Sequence, residues 1–145
     1  MPSRTADIDF TFVREVTVRS TVSALIRGGW SLEEPLGLSY MVNDDDMYDW
    51  LCCAPDQAGE VLTLLDSPEN KGYTVAVCIY HPSAETGGQL LFAPDRTKCS
   101  FIPTINRRGL PSAPKFTDVA WYLQTLVPTL VHEGLHGYEA TEEGF

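Results

Sequence analysis

The sequence of 145 residues lacks any apolar run close to the roughly 18–20 residues that cross a bilayer. Its first ten residues carry Asp7 and Asp9 and lack the apolar centre of a secretory signal. Both absences argue against a membrane partner and against export. We therefore expect a cytoplasmic protein.

Cysteine is scarce, and its spacing suits neither a metal site nor a disulfide framework. Cys52 and Cys53 are adjacent, Cys78 and Cys99 are isolated, and the chain has no C-x-x-C pair. This pattern argues against a structural zinc site and against disulfide bonds. Each cysteine has apolar neighbours in a strand-like run, so we expect four reduced thiols in the core.

Basic residues are missing from two long stretches of the chain. The sequence has 20 acidic and 10 basic residues, which gives a formal net charge of −10. Residues 28–70 hold ten acidic residues and no Lys or Arg, and residues 116–145 hold five acidic residues and again none. Residues 1–27 and 71–115 are net positive. An acidic surface disfavours direct binding of nucleic acid, because phosphate contacts need Lys and Arg.

The remaining composition is typical of one globular domain. Hydrophobic residues make up 43% and charged residues 21% of the chain. The length suits one domain spanning residues 1–145 and is short for two. The hydrophobic pattern predicts the order β-α-β-β-α-β-β-β-α, with strands arranged in hairpins. We therefore expect an α+β fold, a mainly antiparallel sheet with about three helices packed on it.

The local patterns place these elements along the chain. Alternation in residues 73–80 leaves both faces apolar, as in a central strand covered on both sides. Pro103 makes the strand at 99–105 an edge or bulged strand, and Pro128 predicts that the last helix kinks or restarts there. The other strands are expected at 8–18, 36–43, 48–54 and 90–92. The helices are expected at 19–27, from residue 55 and from residue 117. Trp30 is expected to anchor its segment to the core, and residues 106–115 are expected to form a loop.

His132 to His136 read H-E-G-L-H, which matches the zinc motif H-E-x-x-H. On a helix the two histidines share a face and can bind zinc, while Glu133 polarises a water molecule. This match supports an alternative function, a zinc-dependent hydrolase with His132, Glu133 and His136 as its catalytic residues.

The surrounding sequence argues against that alternative. Only nine residues follow His136, and the longer motif would need a glycine and a histidine where Glu139 and Glu142 stand. Gly134 and Gly137 each weaken a helix by about 1 kcal/mol relative to alanine. A frayed last helical turn with solvated histidines is the simpler interpretation, and a non-catalytic metal site is another. We therefore favour a binding protein over an enzyme, and expect neither a metal nor a cofactor.

Residues 43–50 read NDDDMYDW and combine four carboxylates with two aromatic side chains. The pattern predicts an exposed hairpin turn at the three consecutive aspartates, with a strand beginning at Tyr48. A calcium loop would need alternating acids and a glycine, so a solvated turn or a surface for a basic partner fits better. Carboxylates attract cationic proteins, and Tyr and Trp anchor interfaces. The candidate partner-binding residues are Asp44, Asp45, Asp46, Tyr48, Asp49 and Trp50.

These features together resemble a known class of proteins. The small acidic chain, the NDDDMYDW run and the Gly28-Gly29-Trp30 turn after a short helix are similar to immunity proteins of bacterial contact-dependent inhibition and polymorphic toxin systems. Such proteins neutralise a cognate toxin by covering its active site. The resemblance implies an inhibitor of a basic bacterial toxin, with a nuclease as the expected target.

Overall fold

The computed structural model describes residues 4–33 and 37–144. Within these residues the chain forms nine strands, three α-helices and short 3-10 turns at 55–57, 68–70 and 131–133. None of the described helices is long and apolar enough to span a membrane. The elements are β1 (Arg4–Phe12), α1 (Val18–Arg27), β2 (Leu38–Val42), β3 (Leu51–Cys53), α2 (Ala58–Leu65), β4 (Val75–His81), β5 (Thr86–Phe92), β6 (Lys98–Ile105), β7 (Gly109–Leu110), β8 (Ala113–Thr117), α3 (Val119–Leu130) and β9 (Leu135–Gly144).

Seven strands form one sheet in the order β3-β2-β4-β5-β6-β1-β9. Every neighbouring pair in this sheet is antiparallel. Strands β7 and β8 form a separate hairpin. The predicted α+β class, with a mainly antiparallel sheet and about three helices, is confirmed.

All three helices pack on the same face of the sheet. Val75, Val77 and Ile79 alternate along β4 and belong to one core cluster with residues of every helix. Ala76 and Cys78, on the opposite face of β4, are also buried, although none of these helices covers that face. The helices contribute Val18, Val22, Leu25, Val61, Leu62, Leu65, Tyr122, Leu126 and Leu130, and the anchor predicted at Trp30 lies in the same cluster.

Helix α1 is capped partly from outside its own segment. The Thr17 side chain accepts a hydrogen bond from the N–H of Ser20. The Asp66 carboxylate, just after α2, accepts hydrogen bonds from the N–H groups of Val18 at 2.7 Å and Arg19 at 2.9 Å. This negative charge lies at the positive end of the helix dipole and fastens α2 to α1.

The C-terminal segment differs from the predicted frayed helical turn. Helix α3 continues through Pro128 to Leu130, without the predicted restart, and gives way to the 3-10 turn at 131–133. Gly134 then has a φ of 92°, a left-handed conformation that glycine adopts without steric cost. This turn directs the chain into β9, a strand of ten residues that the sequence pattern did not predict.

Strand β6 is central, between β5 and β1, so the predicted edge position of 99–105 is wrong. The β5–β6 register shifts opposite Pro103, so the bulge predicted as the alternative is present. Gly88 permits the close approach, because a Cβ there would overlap the carbonyl oxygen of Ile102. The predicted loop at 106–115 contains β7 and the start of β8.

Several predicted boundaries shift. The strand predicted at 8–18 ends at Phe12, and the strand predicted at 36–43 is β2, with Leu36 outside the described residues. The strand predicted at 48–54 shortens to β3, which leaves residues 48–50 in a loop. Because β3 is the short edge strand, Cys52 is exposed and Cys53 half-buried, and the expected core position fails for both. The other two cysteines are buried free thiols.

We predict that Asp66→Ala destabilises the fold. Two N–H groups at the start of α1 lose their acceptor, which should lower the free energy of unfolding by about 1–2 kcal/mol. Urea denaturation measures this loss. Asp66→Asn retains one side-chain oxygen and should lose less. An Asp66→Ala variant as stable as the wild type would contradict this account of how α1 and α2 are joined.

Candidate functional site

The loop between β2 and β3, residues 43–50, is termed the acidic loop. Asn43 is buried, and its Oδ1 accepts a hydrogen bond from the N–H of Tyr48 at 3.1 Å, which closes the base of the loop. The Asp45 Oδ1 accepts from the N–H of Met47 at 3.0 Å. The loop therefore holds its shape through its own polar side chains.

Two residues of the acidic loop have left-handed backbone conformations. Asp46 has a φ of 61° and Tyr48 a φ of 52°. For a residue other than glycine, this backbone conformation is less favourable by about 1–2 kcal/mol, and such strain is concentrated at binding sites. The side chains of Met47 and Tyr48 are 68% and 57% exposed. The loop thus keeps strained backbone and exposed apolar surface in one place.

Three carboxylates of the acidic loop line a groove of about 270 Å³ at the β3 edge of the sheet. Its apolar part includes Leu51 and Leu64, which are 54% and 41% exposed. An adjoining groove of about 170 Å³ shares Leu64 and adds the carboxylate of Glu60 from α2. The residues of both grooves, together with Met47 and Tyr48, are termed the β3-edge surface. The two grooves are lined by Tyr40, Val42, Asp44, Asp45, Asp49, Leu51, Cys53, Gln57, Glu60, Val61, Leu64 and Asn70.

The structure places the predicted partner-binding residues on one loop. Asp44, Asp45 and Asp49 line the groove. Asp46 and Tyr48 are exposed beside them, and Trp50 is half-buried.

Sequence reasoning missed the apolar part of this surface, chiefly Leu51 and Leu64. On α2, Val61, Leu62 and Leu65 are buried while Leu64 is exposed. The same apolar stripe in the sequence covers both kinds of position, so only the helix orientation separates them. The shortness of β3 similarly exposes Leu51.

The H-E-G-L-H segment does not form the helix that a zinc motif requires. His132 and Glu133 lie in a 3-10 turn, whereas His136 lies in β9 at an irregularity of its pairing with β1. Glu142 accepts hydrogen bonds from the N–H and hydroxyl of Thr117. Within residues 4–33 and 37–144, no group of three or more His, Cys, Asp or Glu side chains could hold a metal ion. The geometry behind the hydrolase alternative is therefore not formed.

A second polar groove, of about 430 Å³, lies beside β9 on the sheet face that the helices leave open, and is termed the β9 groove. The Ser100 hydroxyl donates to Asp9 Oδ1 at 2.6 Å within it. Asp7 lies two residues before Asp9 on the same face of β1. Burial, followed by the hydrogen bond and negative charge of Asp9, raises the pKa of Asp7 to about 6. The groove is lined by Asp9, Phe10, Thr11, Lys98, Ser100, His136, Gly137, Tyr138 and Glu139.

Comparisons with protein-family models, curated proteins and solved structures gave no match. The chemistry of the described surfaces is therefore the basis for a function. The β3-edge surface combines carboxylates with exposed apolar side chains, a combination suited to binding a cationic protein surface.

We predict that zinc binds neither tightly nor at the two histidines of the H-E-G-L-H segment. Protein purified without a histidine tag should contain less than stoichiometric zinc by mass spectrometry of the metal. Added zinc should leave Tm unchanged in the wild type and in His132→Ala alike. A stoichiometric zinc ion that His132→Ala loses would restore the hydrolase alternative.

We predict that Asp7→Asn stabilises the protein at neutral pH. The raised pKa means that the native state holds the proton more tightly than the unfolded chain, so ionisation above about pH 6 weakens the fold. After allowance for solvent screening the gain should be about 1 kcal/mol. Thermal unfolding should show the gap in Tm closing as pH falls through 6 towards 3.8. A gap that does not change with pH would contradict this assignment.

Proposed function

We propose that the protein is an immunity-type inhibitor that binds and neutralises a basic bacterial toxin, with a nuclease as the expected target. The β3-edge surface would cover the cationic active site of the toxin. One observation carries this proposal: three carboxylates of the acidic loop surround a groove whose apolar side chains are exposed.

The distribution of charge in the fold supports this proposal. The stretch 28–70, with its ten acidic residues and no Lys or Arg, supplies β2, the acidic loop, β3 and α2. These elements are neighbours at one edge of the sheet, so much of the charge is gathered there. Arg19 reaches α2 from α1, but its guanidinium donates to the Gly59 carbonyl and the Thr63 hydroxyl.

The arrangement of apolar and charged groups also supports a protein partner. Met47, Tyr48 and Leu51 are each more than half exposed and lie next to the carboxylates. Buried apolar and aromatic side chains supply most of the binding energy of an interface, while charges at its rim accelerate association and select the partner. A nuclease binds phosphates through Lys and Arg, so clustered carboxylates suit its active site.

The experiment uses two double variants with equal charge change. Asp44→Asn with Asp49→Asn alters the acidic groove, whereas Glu33→Gln with Glu85→Gln alters exposed acids elsewhere. Wild-type chain first captures its partner from the native host, and the partner is tested for toxicity and nuclease activity. Stopped-flow association at low salt should then slow about tenfold for the first variant and less than twofold for the second.

Three results would contradict the proposal. The captured partner could be acidic, it could remain fully active when bound, or both double variants could associate as fast as the wild type. The last result would place the binding surface elsewhere on the molecule.

A further inference from the structure

Strand β9 is one of the two outermost strands of the sheet, and among the described strands it pairs only with β1. The backbone hydrogen bonds of β1 show which of its residues bond to β6 and which bond to β9. The N–H of Phe12 donates to the carbonyl of Thr97, on the β6 side. In an antiparallel sheet, one residue directs both its N–H and its C=O to the strand on one side, and the next residue directs both to the strand on the other side. Even-numbered β1 residues therefore bond to β6, and odd-numbered residues bond to β9.

The register then identifies the free backbone groups of β9. Asp9 lies opposite Glu139, so the backbone groups of Glu139 face β1. Tyr138 and Ala140 alternate with Glu139 and direct their N–H and C=O groups away from the sheet. No residue in the described ranges hydrogen-bonds to these groups, and both side chains are exposed. An edge of this kind is a template for pairing with another strand.

The free edge is bounded at both ends. Near its start, the pairing of β1 with β9 is irregular around His136. Near its end, the N–H of Thr117 donates to the Glu142 carboxylate at 2.9 Å, and its hydroxyl donates at 2.8 Å. The hairpin of β7 and β8 is thereby tied to this end of β9. Between these limits the edge can accept a short strand of about five residues.

The negative charge beside this edge indicates which kind of strand would bind there. Asp9 and Glu139 stand directly opposite each other on the open face, an arrangement of like charges that destabilises a sheet. Both line the β9 groove, where Lys98 is the cation on the far wall. A Lys or Arg side chain from an added strand would lie over the same groove and offset the repulsion.

We propose that the free edge of β9 binds a short, extended, basic segment of a protein partner as an additional strand of the sheet. Backbone hydrogen bonds to Tyr138 and Ala140 would hold the segment, and its Lys or Arg side chains would face Asp9 and Glu139. A second copy of this chain is a poorer occupant, because two chains of net charge −10 repel each other. This edge is opposite the β3 edge, so the inference is independent of the proposed function.

The test is an NMR titration of the isotope-labelled protein at low salt. The probe is a capped six-residue peptide that alternates lysine and valine, and its control carries glutamate in place of lysine. The lysine peptide should shift the amide signals of Tyr138 and Ala140 in a saturable way, and the glutamate peptide should not. Ala140→Pro removes an outward N–H that β1 does not use, so it should fold and bind at least tenfold more weakly. Ala140→Ser keeps that N–H and should bind within twofold of the wild type.

Glu139→Gln keeps the backbone edge and should weaken binding severalfold, which tests the charge even if the proline variant does not fold. Equal affinity of all variants would overturn the inference. So would shifts confined to the acidic loop, a result that would leave the proposed function intact. Self-association that Ala140→Pro abolishes would also overturn it, by showing that a second copy occupies the edge.

Discussion

Packing of three helices against one face of a seven-stranded sheet is the constraint on which the rest of the structure depends. It buries alternate residues of the central strands, such as Val77 and Phe101, in one continuous core. It also leaves the other face of the sheet without a helix, and each outer strand, β3 and β9, has one neighbouring strand among the described residues. The two stretches without Lys or Arg, 28–70 and 116–145, supply these two edges.

Two arginines of the stretch 71–115 are held by contacts within the fold. Arg96 is buried, and its guanidinium donates to the carbonyls of Asn70, Tyr73 and Ala93, while burial lowers its pKa. The Arg108 guanidinium lies 4.7 Å from the centre of the Trp121 ring. Cations held in this way cannot neutralise carboxylates at the sheet edges. The carboxylates at the β3 edge come from the stretch 28–70, which has no Lys or Arg, so negative charge is concentrated in that part of the chain.

Local pattern was sufficient for the fold class, for α1, for the central strand β4 and for the acidic character of residues 43–50. Local pattern failed where pairing between strands that are distant in the sequence determines the structure. Strand β9 carries few apolar residues because its side chains are mostly exposed, so the segment looked like the end of a helix. Strand β6 is central despite Pro103, which has no N–H to donate, because a bulge opposite Gly88 accommodates the proline. The apolar half of the candidate site, Leu51 and Leu64, depends on which side of β3 and α2 faces the core.

Hydrogen–deuterium exchange of the protein, free and bound to the partner captured from the native host, tests whether the acidic loop and β3 form the binding surface. We expect slower exchange throughout residues 43–53, with the amides of α1 and α3 unchanged. Slower exchange on those helices, with none at residues 43–53, would contradict it, since the partner would then cover the helical face and leave the acidic edge free.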